Sequence, residues 1–395
     1  VAPPEYAGAL RTSRYVALRD GVRLALDVYL PQGLAPGARL PTILEQTRYV
    51  RGYELRPEAR EGDRPRRQVT ELVTRGYAYV VVDVRGTGAS FGSRRAELSQ
   101  LEVRDGAEVV DWIVAQPWSN GKVGATGISY VGTTAELLLG NRHPSVVAVA
   151  PQFALYDSYL DIVFPGGIHQ AWFSQTWRQA IHAMDENRPS PDALEVVTGT
   201  RPVDDDADGS LLAQAIREHA KNHDVYAELS RIAFRDDLTP SGWTLDDLSP
   251  HNFLDNARAA GAAVYSYSGW WDGAYPHAAI KRHLTLGTPG SRLVLGPWTH
   301  GGRFVHLPGA GVMRSSFDHT RELLRFFEHH LKGLDTCIAA EPAVRYYTMG
   351  ENRWKAAEGW PPPAQERRWY LAPDQALSSQ RPPAGTTFDT YRVDP

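Results

Sequence analysis

The stretch VGATGISYVGTT, Val123 to Thr134, decides the fold. An apolar run ends at Gly127-Ile128-Ser129, and a helix-forming segment, TTAELLLGN, leaves it. A serine between glycines at such a junction fits the sharp strand-to-helix turn that lifts a nucleophile above a parallel sheet. The spacing departs from G-x-S-x-G, however. Val131 stands where the second glycine belongs, and the glycine follows one residue later, at Gly132. The same letters also describe an ordinary serine in a glycine-rich loop, so the neighbouring elements must decide.

Outward from the serine, strands and helices alternate. Upstream, YVALRDGVRLALDVYLP (Tyr15 to Pro31) alternates apolar and polar residues about Asp20-Gly21, a hairpin pattern, and PTILEQTRY adds a strand. YAYVVVDVRGTGAS (Tyr77 to Ser90) is a continuous β-branched run closed by glycines, as a strand buried on both faces requires. VRDGAEVVDWIVAQ has helical spacing and stops at Pro117. Downstream, VVAVAPQF (Val146 to Phe153) is the next strand. Alternation of this kind specifies a doubly wound α/β sheet.

From about Tyr156 to Leu248 the alternation lapses into aromatic-rich helical segments and an acidic loop, VDDDADG, which reads as a solvated linker. It resumes with AAVYSYSGWWDG, RLVLGPWTHGG and the helix HTRELLRFFEHHLKG. After Glu341-Pro342, short strands with Pro and Gly turns (AVRYYTMG, RRWYLAP, TTFDTYRV) suggest a β-rich module too short to close by itself. Either further residues or another chain, including a second copy, would complete it. The expected domains are residues 1–153 and 250–338 for the α/β core, 154–249 for a helical cap, and 339–395 for the start of the β module.

Composition narrows the function classes. The 395 residues carry a net charge of −4 and 42% hydrophobic residues, a globular balance with no basic footprint for nucleic acid. No apolar run reaches the roughly 18 residues of a membrane span. Cys337 is the only cysteine, so an intrachain disulfide and a multi-cysteine metal site are excluded. The compartment stays open. The loop Val84 to Gly92, VRGTGASFG, has glycines at 86, 88 and 92, which do not make G-x-G-x-x-G, and no G-K-[ST] follows. It reads as a tight loop near the site, and no cofactor or metal is expected.

An acyl-transfer serine needs a base and an acid that orients the base. Asp272 directly follows the strand AVYSYSGWW, and His300 directly follows RLVLGPWT. Their separation accommodates one crossover helix, HAAIKRHLTLG, and both fall at strand C-termini, where open α/β sheets place ligands. Serine, acid, histidine is the α/β-hydrolase order. Singly, Asp272 reads as a turn residue before glycine and His300 as a packing residue; jointly with Ser129 they read as a triad.

The chain resembles the serine hydrolase family of bacterial cocaine esterases, X-Pro dipeptidyl-peptidases and α-amino acid ester hydrolases. The resemblance rests on RDGVRLALDVYLP, RYVRGY, DVRGTGASFG, DGAEVVDWIVAQPWSNGKVGATGISYVG, FPGG, GWWDG, LGPWTHGG and LKGLDT, with EPAVRYYTMGENRWKAAEGWPPP entering the β module. In that family the elbow reads G-x-S-Y-x-G, which accounts for Gly132. The resemblance implies an α/β-hydrolase core, an inserted cap and a C-terminal jelly roll, here incomplete. It implies Ser129 as nucleophile, Asp272 and His300 as acid and base, and an oxyanion hole from the Tyr130 N–H and the Tyr49 hydroxyl.

The expected activity is hydrolysis of carboxylic esters, then amides, of small molecules through an acyl-enzyme. The alternatives are X-Pro dipeptidyl-peptidase or α-amino acid ester hydrolase activity and, in another class, a catalytically silent binding protein. Holding a substrate ammonium takes carboxylates near the serine, for which Asp157, Asp161, Asp185 and Glu186 are candidates. Trp172, Phe173 and Trp177 of the cap, with Trp271 and Trp298 beside the acid and base, make up the expected substrate pocket.

Overall fold

Hydrophobic runs long enough to be buried on both faces build the centre of a twelve-stranded, mostly parallel sheet. The computed structural model describes residues 1–62, 66–189, 194–273, 275–373, 375–381, 390 and 392. Its strands are β1 (Ala9–Ala17), β2 (Arg23–Pro31), β3 (Leu40–Thr47), β4 (Ala78–Asp83), β5 (Ser119–Ile128), β6 (Val146–Gln152), β7 (Ala263–Trp271) and β8 (Arg292–Thr299). They lie side by side in the order β1-β2-β4-β3-β5-β6-β7-β8. β1 and β2 form the antiparallel hairpin expected about Asp20-Gly21, and β3 to β8 are parallel to β4. Every residue of β3 and β4 is buried.

Helices cover both faces: α1 (Arg67–Val73), α2 (Gln100–Val114) and α3 (Tyr130–Leu137) in the first half. α2 opens on a Ser-x-x-Glu pattern in which the Ser99 hydroxyl accepts the Glu102 N–H at 3.3 Å. One core cluster joins Tyr79, Tyr267, Trp298 and Phe327, and another joins Leu44, Val82, Val110 and Val149.

The cap follows β6 with α4 (Ala171–Asp185), α5 (Ser210–His219) and α6 (Val225–Leu229), and has its own core around Tyr159, Phe164, Ile181 and Trp243. The chain returns through α7 (Leu254–Ala260), β7, α8 (Tyr275–Leu286), β8 and α9 (His319–Lys332). The acidic loop is more than a solvated linker. Asp206 is buried and accepts the N–H groups of Leu211 and Leu212 at the start of α5, while Asp204 binds the Ser13 N–H and hydroxyl on β1. Short carboxylates in such a loop cap backbone donors as readily as they meet water.

Beyond β8, the hairpin β9 (Phe304–Leu307) and β10 (Gly311–Arg314) pairs antiparallel through Trp298 and Val305. β11 (Val344–Thr348) adds parallel to β8, pairing Leu293 with Val344, and β12 (Arg353–Ala357) folds back on it. The core sheet therefore continues past residue 338, to Ala357. A small exposed hairpin, Tyr370–Ala372 with Ala376–Ser378, comes next. Most of TTFDTYRV lies outside the described residues. Among those described, no helix is long and apolar enough to cross a membrane.

Candidate active site

At the end of β5 the backbone of Ser129 is held at φ 64°, ψ −123°, a region that a residue with a Cβ enters only when its surroundings enforce it. Two main-chain bonds and one side-chain bond do so. The Ser129 N–H donates to the Gln152 carbonyl at 2.9 Å, and its own carbonyl accepts the N–H of Thr133 at 2.9 Å and the Thr133 hydroxyl at 3.0 Å. The glycine spacing follows from packing. A Cβ on Gly132 would sit 2.7 Å from the carbonyl oxygens of both Gln152 and Gly127, whereas Val131 turns its side chain into the space that a Cβ on Gly127 would need. The glycine is required where α3 crosses the strands, three residues after the serine.

The ends of β7 and β8 bring Asp272 and His300 together, with His300 Nδ1 2.7 Å from Asp272 Oδ1. Burial raises the Asp272 carboxyl above its usual range, and its hydrogen bond and charge interaction with His300 pull it back. With Nδ1 turned to the carboxylate, Nε2 is the free nitrogen. Ser129, Asp272 and His300 all line one cavity of about 470 Å³ between core and cap.

Tyr49 and Tyr130 line the same cavity, their ring centroids 6.0 Å apart. Tyr130 is the first helical residue of α3, so its N–H belongs to the helix start. Its phenol points away and donates to the Glu102 carboxylate, with both oxygens at 2.8 Å. Burial, reinforced by Glu97, pushes Glu102 up to about 7 against that hydrogen bond. Tyr49 follows β3, and its phenol oxygen accepts the Trp177 indole N–H at 3.1 Å, which leaves its own proton free to point elsewhere. Burial raises the Tyr49 phenol, opposed by Arg48 and by the Trp177 bond.

Of the five expected pocket aromatics, two line the cavity. Phe173 and Trp177 do so, stacked with centroids 6.3 Å apart. Trp172 is 78% exposed on the outer side of α4. Trp271 turns outward from β7 and stacks on His306 at 4.4 Å. Trp298 is 1% exposed beneath the site, stacked on Tyr267 at 5.3 Å. Alternation along a strand sends successive side chains to opposite faces, and these two landed away from the cavity.

The carboxylates are also accounted for. Asp157 pairs with Arg235 at 2.9 Å, and Glu186 pairs with Arg188 in solvent. Asp185 is held by Arg48 at 3.0 Å and by Arg94 at 3.3 Å. Asp161 alone of the four lines the cavity, where it accepts Lys281 at 2.8 Å and the N–H groups of Tyr156 and Asp157. Asp157, Asp246 and His251 cluster like metal ligands, yet Arg235 already contacts both carboxylates.

Of the cavity's titratable residues, sequence reading missed Tyr275, Glu97 and His223. Tyr275 lies at 5.1 Å (ring centroids) from His300; burial and Asp272 raise its phenol, and a hydrogen bond with Ser129 opposes them. Glu97 and His223 also line the wall, their nearest atoms 3.6 Å apart, and Glu97 is bridged to Arg48 and Arg94. None of the three sits in a local motif.

Comparison with known proteins gives the family. The family described as X-Pro dipeptidyl-peptidase (S15 family) matches residues 20–302, and the X-Pro dipeptidyl-peptidase C-terminal non-catalytic domain matches residues 337–395. A protein of Mycobacterium bovis, provisionally named a serine esterase, is 50% identical over 425 residues, covering 100% of this chain and 68% of its own length. Cocaine esterase of a Rhodococcus species is 27% identical, over 96% of this chain and 67% of that protein. Among solved structures, a CocE/NonD family hydrolase from Staphylococcus aureus superposes with a TM-score of 0.71 at 18% identity, over 94% of this chain and 60% of that one. An α-amino acid ester hydrolase gives 0.67 at 24% identity, over 98% of this chain and 65% of that one. The two structures speak for the fold, an α/β-hydrolase core, and the chain spans less than two thirds of each. With the S15 match covering residues 20–302, and with them Ser129, Asp272 and His300, the chain belongs to the X-Pro dipeptidyl-peptidase (S15) family of serine hydrolases.

Proposed function

We propose that this serine hydrolase cleaves carboxylic esters through an acyl-enzyme built on Ser129, Asp272 and His300. The observation that carries the reading is the 2.7 Å bond from His300 to Asp272 on the wall of the cavity that also holds the strained Ser129 turn. His300 Nε2 takes the Ser129 hydroxyl proton as Oγ adds to the ester carbonyl carbon. The negative charge that develops on the carbonyl oxygen is met by the Tyr130 N–H and the Tyr49 O–H. Collapse of the tetrahedral species expels the alcohol, which receives the proton from His300. Water then repeats the sequence on the acyl-serine, releasing the acid. Asp272 holds the imidazole in one tautomer and stabilises the imidazolium.

The lining favours an apolar or aromatic acyl group, since Phe173, Trp177, Leu155, Ile162 and Trp243 form much of the wall. The wall also carries Asp161 and Glu97, but each carboxylate already faces a cation. That leaves little free negative charge for a substrate ammonium and ranks an aminopeptidase activity second. A fluorophosphonate probe should label the protein stoichiometrically, and Ser129→Ala should abolish labelling. Wild-type protein that fails to label sinks the proposal. A panel of short and aromatic p-nitrophenyl esters beside Ala-Pro-anilide separates the two activities, and faster turnover of the anilide would reverse their ranking.

A further inference from the structure

The turn that carries His300 is built of residues that give it little stiffness of their own. Gly301 and Gly302 follow at φ 76° and 75°, and the His300 side chain is 45% exposed. One side chain from elsewhere in the molecule grips this turn. His319, the first residue of α9, places Nε2 2.9 Å from the Gly302 carbonyl oxygen and Nδ1 2.5 Å from the Tyr267 hydroxyl. A carbonyl only accepts, so Nε2 carries the hydrogen and Nδ1 accepts from the phenol. The imidazole is locked in place as well as in tautomer. Trp298, Phe317 and Tyr267 surround it with ring centroids at 4.7, 5.0 and 5.6 Å. The fit against the turn is tight, because a Cβ on Gly302 would lie 2.6 Å from the His319 ring.

Tyr267 stands on β7, the strand whose end delivers Asp272. A continuous path thus runs from the acid's strand through the Tyr267 hydroxyl and His319 to the Gly302 carbonyl, two residues from the base. We infer that His319 is a positioning residue, which holds the turn at Gly302 so that His300 stays in register with Asp272. The inference rests on the reading of His300 as the base.

His319→Phe keeps a flat ring against Trp298 but removes the donor to Gly302. His319→Gln restores an amide N–H where Nε2 stood, and Tyr267→Phe removes only the hydroxyl that fixes the tautomer. Misplacement of a reacting group by about 1 Å costs on the order of 10²-fold in rate. With p-nitrophenyl esters, His319→Phe is therefore expected to lose about 10- to 100-fold in kcat, with KM within about threefold. His319→Gln is expected to recover most of that loss, a rescue that simple loss of packing would not give. A folded His319→Phe with kcat near wild type overturns the inference, as does a folded His319→Gln as impaired as His319→Phe. If His319→Phe fails to fold, Tyr267→Phe decides: a measurable fall in kcat supports the role and an unchanged kcat rejects it. His300→Ala, assayed in parallel, separates the two claims. Activity retained in His300→Ala removes the base itself, whereas a dead His300→Ala beside an unimpaired His319→Phe removes only the positioning role.

Discussion

Tyr49→Phe removes one oxygen atom, and the site allows its two consequences to be worked separately. The phenol oxygen accepts the Trp177 N–H at 3.1 Å, so its single proton is directed elsewhere, and the ring borders the cavity beside Tyr130. If that proton meets the oxyanion, its loss lowers kcat by roughly 10²–10³, about 3 kcal/mol, because the donor acts where charge develops. KM should hardly move. The second consequence is structural: the Trp177 indole N–H loses its acceptor at a partly buried position, which costs about 1–3 kcal/mol of stability. Trp177→Phe removes the same hydrogen bond from the other side while leaving the Tyr49 O–H intact. It should lower the melting temperature at least as much as Tyr49→Phe, because it also shrinks a side chain stacked on Phe173, yet keep kcat within about fivefold, since an oriented donor is retained. Steady-state ester hydrolysis with kcat and KM resolved, alongside thermal melts, makes the comparison. A folded Tyr49→Phe with unchanged kcat, or equal kcat losses in both variants, refutes the reasoning.

Asp272→Asn should fold normally and lose roughly 10⁴ in kcat, because an amide holds the wrong imidazole tautomer; turnover within tenfold of wild type would move the acid elsewhere. Gly132→Ala would push a methyl group to 2.7 Å from two backbone oxygens that cannot step aside, so about 1–3 kcal/mol of stability and the fluorophosphonate labelling should both fall. Unimpaired labelling in that variant would contradict the packing account of the elbow. Glu102 is raised from 4.5 to about 7 in the folded protein, so its contribution to stability is present below 4.5 and lost as pH rises through 7. Glu102→Gln, neutral throughout, should gain stability relative to the parent between pH 5 and 8, and a pH-independent difference in melting temperature would rule this out.

The meeting of Ser129, Asp272 and His300 was legible because each directly follows a strand that the sequence marks out, and sheet order then brings them to one edge. Gly132 was legible only as an oddity, since its cause is a contact between α3 and two strands far along the chain. The aromatics separate for a different reason. Whether Trp271 or Trp298 faces the cavity depends on the pleat of its strand at that point, and two tryptophans with similar neighbours in sequence ended outside and beneath. Tyr275, Glu97 and His319 are invisible to any local pattern. Their partners lie at Ser129, Arg48 and Gly302, and only the assembled fold joins them. The acidic loop shows the same limit, because a run of aspartates says nothing about which one will find a helix start to cap.

The pairing of Leu293 to Leu295 with Val344 to Tyr346 carries the backbone ladder across the seam between the two family matches, which end at 302 and resume at 337. Anyone wishing to graft a different C-terminal module onto this catalytic half would be misled by that seam. A chain cut after Lys332 would leave β8 with unpaired amides and carbonyls beside Leu293 and Leu295, an open template for pairing with another molecule. Ala357, where the returning strand closes the ladder, is the sounder graft point.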